Sequence, residues 1–154
     1  MTYEIVKVTT KEDALECNKL LTELIHYEKR FDNNLNGEFV MKSYYENFYL
    51  DEDRLLLLVK DNNKSVGYLY GFIEKTEGIC LEKASLLDAL FIEEEYRHKG
   101  IGKELINKFI NWSKDKDCKY IDLKVMNENK EAMNLYHSLG FNDFKTVMSQ
   151  EIKE

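Results

Sequence analysis

Residues 3–8 (Tyr-Glu-Ile-Val-Lys-Val) alternate polar and apolar side chains with a period of two, which predicts a half-buried strand. Thr9, with Glu12 three residues on, reads as a capping box, and Ala14, Cys17, Leu21, Leu24 and Ile25 then recur on one helical face. The polar stretch from Asp32 to Gly37 ends that helix, and the aromatic-rich residues 39–50 predict a second one. Within residues 54–60, Leu55 to Val59 is an unbroken apolar run, the pattern of a strand covered on both faces. Asp61-Asn62-Asn63-Lys64 is a turn, and residues 65–75 and 81–92 predict two further strands joined near Glu77-Gly78. Ile101, Leu105, Ile106, Phe109 and Ile110 then follow helical spacing, and residues 120–125 alternate as a strand. Ala132, Leu135, Tyr136 and Leu139 mark another helix, closed by Gly140, and a last strand is expected from Phe141 to Ile152. The predicted order is β-α-α-β-β-β-α-β-α-β. It makes residues 1–154 a single domain of the α/β (α+β) class, one mixed, mostly antiparallel sheet flanked by helices.

Composition narrows the class. The chain has 154 residues, 44% of them hydrophobic, with 10 Tyr, 8 Phe and 1 Trp, enough apolar surface to exclude intrinsic disorder. No apolar run approaches the roughly 18–20 residues that span a bilayer, and residues 1–4 lack the basic start of a signal peptide, so a cytoplasmic, non-membrane protein is expected. Cys17, Cys80 and Cys118 share no C-x-x-C spacing, and His26, His98 and His137 have no ligand spacing, so no metal site is expected. The net charge of −7 disfavours a nucleic-acid partner. That charge is uneven: residues 1–96 hold 11 basic against 20 acidic side chains, whereas residues 97–130 hold nine against five. A local basic stretch in an acidic chain suits a compact polyanion, although alternating lysines also decorate any solvated helix.

Two segments carry candidate chemistry. In Arg97-His98-Lys99-Gly100-Ile101-Gly102-Lys103, two glycines permit a tight turn just before a helix whose first amides are free donors at its positive end. Such a turn binds phosphate, or is simply a turn. It is neither a Walker A loop nor the dinucleotide fingerprint, since Leu105 stands where the third glycine of the latter would be. The second segment runs from Asn129 to Phe141. Together, R-x-x-G-x-G at Arg97–Gly102 and N-x-x-A-x-x-x-Y-x-x-x-G-F at Asn129–Phe141 resemble the GNAT superfamily of acetyl-CoA-dependent N-acetyltransferases. The likeness is close over residues 81–145 and rests on element order before that. One departure is Glu94, within Glu93-Glu94-Glu95, where family members often carry proline.

The resemblance implies the acyl-CoA N-acetyltransferase fold, acetyl-CoA as cosubstrate and an amine as acceptor. It places the pantetheine arm on the backbone of Leu90, Phe91 and Ile92, and the pyrophosphate on the turn formed by Arg97, His98, Lys99, Gly100, Ile101, Gly102 and Lys103. Asn129 and Ala132 line the arm from the other side, and Tyr136 becomes the general acid for the departing thiolate. On its own, Tyr136 reads as a core residue of an amphipathic helix, and the surrounding motif is what gives it the chemical role. Asp88 interrupts the apolar run Leu86–Ile92, and is either the general base or a carboxylate on the polar face of its strand, with Glu82 acting through water as another route. Tyr27, Phe31, Phe39, Tyr44, Tyr45, Phe48 and Tyr49 lie beside Glu28, Asp32, Glu38 and Glu46, a mixture that attracts ammonium groups or packs as ordinary core. A small polyamine-like or aminoglycoside-like amine is the favoured acceptor. The rivals are a protein N-terminus or lysine, and a catalytically silent acyl-CoA-binding module. Whether the chain works alone or as a homodimer is left open by its sequence.

Overall fold

The apolar run Leu55–Val59 lies at the centre of a computed structural model that describes residues 2–154. It belongs to β2 (Arg54–Asp61), and its side chains divide between two cores. Leu56 and Leu58 join Val8, Ala14, Cys17, Leu20, Tyr68, Tyr70, Ala89 and Phe91 on one face of the sheet. Leu55, Leu57 and Val59 join Leu69, Leu87, Ile101, Leu105, Ile106 and Phe109 on the other. Both faces are covered, and a continuous apolar sequence results.

The five strands lie in sequence order: β1 (Glu4–Lys7), β2, β3 (Lys64–Ile73), β4 (Ala84–Ile92) and β5 (Tyr120–Leu123). The first four pair antiparallel, and β5 runs parallel to β4. Helix α1 (Lys11–Glu28) covers one face, while α2 (Ile101–Asp115) covers the other and is followed, beyond β5, by α3 (Lys130–Ser138). The mixed sheet flanked by helices matches the expected class. At Gly71 the backbone of β3 comes so close to α2 that a Cβ would stand 2.2 Å from Phe109 Cε1. Across the same interface, the buried hydroxyls of Ser85 and Ser113 bond at 2.7 Å and satisfy each other.

Three expectations need correction. The cap of α1 is Thr10, one residue beyond Thr9; its hydroxyl accepts the Asp13 N–H at 3.2 Å. The second helix over residues 39–50 is absent, and only a short 3₁₀ turn, Phe48–Leu50, forms there. Polar side chains have taken the local backbone: Glu46 accepts the Tyr44 N–H at 2.9 Å, and Asn18 of α1 accepts the Tyr45 N–H at 3.0 Å. The last strand is not formed either. Residues 142–154 are exposed and belong to no ladder.

Candidate active site

The parallel ladder between β4 and β5 runs only from Ala84 opposite Tyr120 to Leu87 opposite Leu123. β5 then ends while β4 continues to Ile92, so the backbone of residues 88–92 has no strand partner on that side. A cleft of about 400 Å³ opens there. Its walls are residues 87–92 of β4, the turn before α2, the end of β5 with Lys124 to Met126, one face of α3, and Leu24, Tyr27 and Glu28 of α1.

Asp88 enters this cleft because β4 is bulged. Tyr70 of β3 pairs with Ala89 and its neighbour Gly71 with Leu87, which leaves Asp88 as an extra residue opposite none. The pleat changes parity there: Leu87 packs on the α2 side, whereas Ala89 and Phe91 pack on the α1 side and Leu90 and Ile92 return to the first. Although Asp88 opens to the cleft, the apolar walls strip enough water to raise its carboxyl above the usual range, opposed by the positive charge of Lys124. Glu28, on the facing end of α1, is raised by its own desolvation and then by Asp32 and Asp88. The sequence marked Glu28 only as one acid among several and gave no sign of Lys124, which reaches the site through the sheet.

Tyr136 lines the opposite wall from α3, and its ring meets Phe141 edge-on at 5.9 Å. Burial, followed by the charge of Glu28, pushes its phenol up to about 12, so it stays protonated at neutral pH. Asn129 caps α3 by accepting the Ala132 N–H at 3.2 Å, and both residues face the cleft.

The turn before α2 opens the helix through backbone geometry, without a side-chain cap. Gly100, with φ of 85°, starts the helix without any side-chain cap, leaving the first-turn amides as donors. His98 also adopts a left-handed backbone, φ 61°, at a cost of about 1 kcal/mol for a residue with a Cβ. Of the turn residues singled out in sequence, Arg97, His98, Gly100, Ile101, Gly102 and Lys103 line the cleft, and Lys99 does not. The Arg97 side chain turns inward: Nε donates to the Ile92 carbonyl at 2.8 Å, and the guanidinium stands 4.5 Å from the centre of the Tyr27 ring. His98 instead approaches Glu131 of α3 at 3.5 Å, across the cleft mouth.

The aromatic cluster divides: Tyr45, with Phe48 and Tyr49 packed against it, joins the core on the α1 side, whereas Tyr44 is exposed. Tyr45 and Tyr68 are fully buried, and their hydroxyls bond to each other at 3.1 Å. Of the rings named in the sequence, Tyr27 lines the cleft. Glu82 is an exposed partner of Lys119 at 3.7 Å and lies outside the cleft lining.

A model of the acetyltransferase (GNAT) family matches residues 20–141, a span that includes the bulge, the glycine turn and α3. The chain belongs to the GNAT acetyltransferase family. A thialysine N-ε-acetyltransferase of Bos taurus is 40% identical over 150 residues, covering 93% of this chain and 86% of the relative. N-α-acetyltransferase 20 of Dictyostelium discoideum is 30% identical over 122 residues, covering 75% and 69%. A solved tetramutant protein of Bacillus halodurans shares the GNAT fold with a TM-score of 0.81 at 22% identity, covering 97% of this chain and 99% of its own. This GNAT chain is therefore an acetyltransferase enzyme, and its family uses acetyl-CoA as acyl donor.

Proposed function

We propose that the protein transfers acetyl from acetyl-CoA directly to the primary amine of a small cationic acceptor, without a covalent enzyme intermediate. The observation that carries this reading is the placement of Asp88 and Glu28 at one side of the splayed cleft and of protonated Tyr136 at another. The donor fits the remaining surface. Unpaired backbone of β4 beside the cleft suits the amides of a pantetheine arm, and the uncapped start of α2, with Lys103 beside it, suits a pyrophosphate.

An alkyl ammonium must lose a proton before it can attack a thioester. Asp88 has the better-placed carboxylate for that step, since the bulge turns it toward the cleft and desolvation strengthens it as a base. Glu28 supplies a second negative charge that draws the cation in. As the carbon–sulfur bond breaks, Tyr136 hydrogen-bonds the departing thiolate and delivers its proton. A free N–H of β4 near Ile92 polarises the thioester carbonyl. The small-amine reading is supported by these two acids and by the mammalian relatives named for the ε-nitrogen of thialysine.

The test is release of CoA thiol from acetyl-CoA in separate panels of diamines and polyamines, lysine-like amino acids, aminoglycosides and peptides. Acceleration by small cationic amines supports the reading. Acceleration only by peptides with a free N-terminus would transfer the assignment to the class of the Dictyostelium relative. Tight acetyl-CoA binding with no acceptor response would leave a silent binding module.

A further inference from the structure

At the open end of β4, Glu93 N–H donates to the Val66 carbonyl of β3 at 2.8 Å. The N–H and C=O of one trans peptide point in opposite directions, so the Ile92 carbonyl, in the same peptide unit, points away from β3 and into the gap beyond the end of β5. Ile92 stands opposite Gly67 and Leu90 opposite Leu69, and the antiparallel pattern turns the backbone groups of both toward that gap. The edge therefore carries two carbonyls, those of Leu90 and Ile92, and the Ile92 N–H.

One of the two carbonyls is already engaged. Arg97 Nε donates to Ile92 O at 2.8 Å, and the guanidinium lies 4.5 Å from the centre of the Tyr27 ring and 5.5 Å from that of Phe91. Tyr27 is itself held from its own helix end, where Arg30 stands 3.9 Å from the same ring and its Nε donates to the Tyr27 carbonyl at 2.9 Å. Arg97 is half-buried on three anchors, all of them on β4 or α1. None belongs to the uncapped start of α2, where an anion would be held.

We propose that Arg97 is a positioning residue: by occupying the Ile92 carbonyl, it leaves the Leu90 carbonyl and the Ile92 N–H as the acceptor and donor of this edge, and so fixes the register of an acyl-bearing arm laid along β4. Pairing positions on one side of a strand recur every two residues, about 7 Å. Once freed, the Ile92 carbonyl would accept an amide from an arm displaced by that repeat toward the turn, and the thioester would stand farther from Asp88 and Tyr136. The proposal rests on the acetyl-CoA reading of the cleft and is independent of which amine accepts, so its test is made on the donor side.

Arg97→Gln removes both the Ile92 contact and the charge, whereas Arg97→Lys keeps the charge without the planar fork. Calorimetry with CoA, and infrared spectra of bound acetyl-CoA isotopically labelled at the thioester carbonyl, compare both variants with wild type. Affinity for CoA should stay within threefold, because the phosphate grip lies in the α2 backbone. The carbonyl band, lowered in frequency by the Ile92 N–H in wild type, should lose most of that lowering in both variants. With the best amine, kcat should fall about 10²-fold at unchanged KM for acetyl-CoA, the size of effect that a misplaced reacting group produces. A tenfold loss of CoA affinity in Arg97→Gln that Arg97→Lys recovers would make Arg97 a phosphate ligand and overturn the proposal, as would one carbonyl band common to all three proteins. Should the variants misfold, NMR of isotopically labelled wild type decides: the Arg97 Nε signal keeps its place on addition of CoA if Arg97 stays on Ile92, and its moving together with the first-turn amides of α2 refutes the proposal. A wild type that binds no acetyl-CoA removes the donor reading and this proposal with it, whereas binding with an unlowered carbonyl band removes the proposal alone.

Discussion

Replacing Tyr136 by phenylalanine deletes one hydroxyl that no side chain among the described residues hydrogen-bonds, so the fold has little to lose. Stability should stay within about 0.5 kcal/mol of wild type, the range for changes that break no packing or polar network. The chemical consequence is larger. With its phenol at about 12, Tyr136 is ionised in roughly one molecule in 10⁴ at pH 8, so the donor is always loaded. A thiol of ordinary pKa, about 8.5, lies roughly 3.5 units lower, so handing the proton to a well-hydrated thiolate would be uphill by about 5 kcal/mol. Inside the cleft, the same apolar walls that raise Tyr136 raise the thiolate, and the gap narrows. That argues for the low end of general-acid effects, about a 10²-fold loss in kcat or about 2.7 kcal/mol, with KM for acetyl-CoA little changed. The assay is thiol release with the best amine, repeated with p-nitrophenyl acetate, whose phenolate leaves without needing a proton. The defect should be large with acetyl-CoA and small with the phenyl ester. Turnover within threefold of wild type, or an equal loss with both donors, refutes the assignment.

Asp88→Asn should remove the acidic limb of the kcat/KM pH profile, and a profile of unaltered shape places the base elsewhere. The same variant has a stability signature of defined sign. Because folding raises the Asp88 carboxyl, the folded state holds its proton longer than the unfolded one, and wild type loses stability as pH climbs from the ordinary carboxylate value through the raised one. Asn lacks that loss, so its urea midpoint should gain on wild type between pH 4 and pH 7, roughly the span over which carboxylates titrate. Gly100→Ala meets no atom within 4 Å but forces a Cβ onto a left-handed backbone, which should cost about 1 kcal/mol in urea melts and weaken acetyl-CoA binding by calorimetry. Gly71→Ala drives its methyl group into Phe109 and the Leu86 carbonyl, 2.8 Å away, and should destabilise by about 2–3 kcal/mol in the same melts.

The elements that the sequence revealed are those whose pattern is set by one solvent boundary or by burial on both sides. Leu55–Val59 reads as a doubly covered strand because two helices do cover it, and Ile101, Leu105, Ile106 and Phe109 fall on one face of α2 because only that face is buried. Residues 39–50 mislead by the same logic. Tyr45 sits inside with Phe48 and Tyr49 packed against it, but Asn18 and Glu46 hold the backbone in turns, and a bond from a residue 27 positions away leaves no trace in local spacing. The glycine turn and Tyr136 were legible as motifs, whereas the pairing of Asp88 with Glu28 was not, since α1 and β4 meet only after folding. The inward turn of Arg97 onto Ile92 and Tyr27 was equally hidden, because a basic residue beside a phosphate-like turn gives no hint of a second attraction. The strand expected from Phe141 to Ile152 was misread, since residues 142–154 stay exposed and join no ladder.

The bulge in β4 has a consequence for how such a site arises and disappears. Remove Asp88 from the chain altogether and Leu87 would follow directly onto Ala89, with the register between Tyr70 and Gly71 already in place to receive them. Every other side chain of β4 would keep its face, and both cores would remain as they are. A one-codon deletion therefore separates the enzyme from its scaffold, and the reverse insertion adds a carboxylate to a finished sheet without repacking it. The residue of β4 on which the proposed chemistry depends is the one that the sheet does not need.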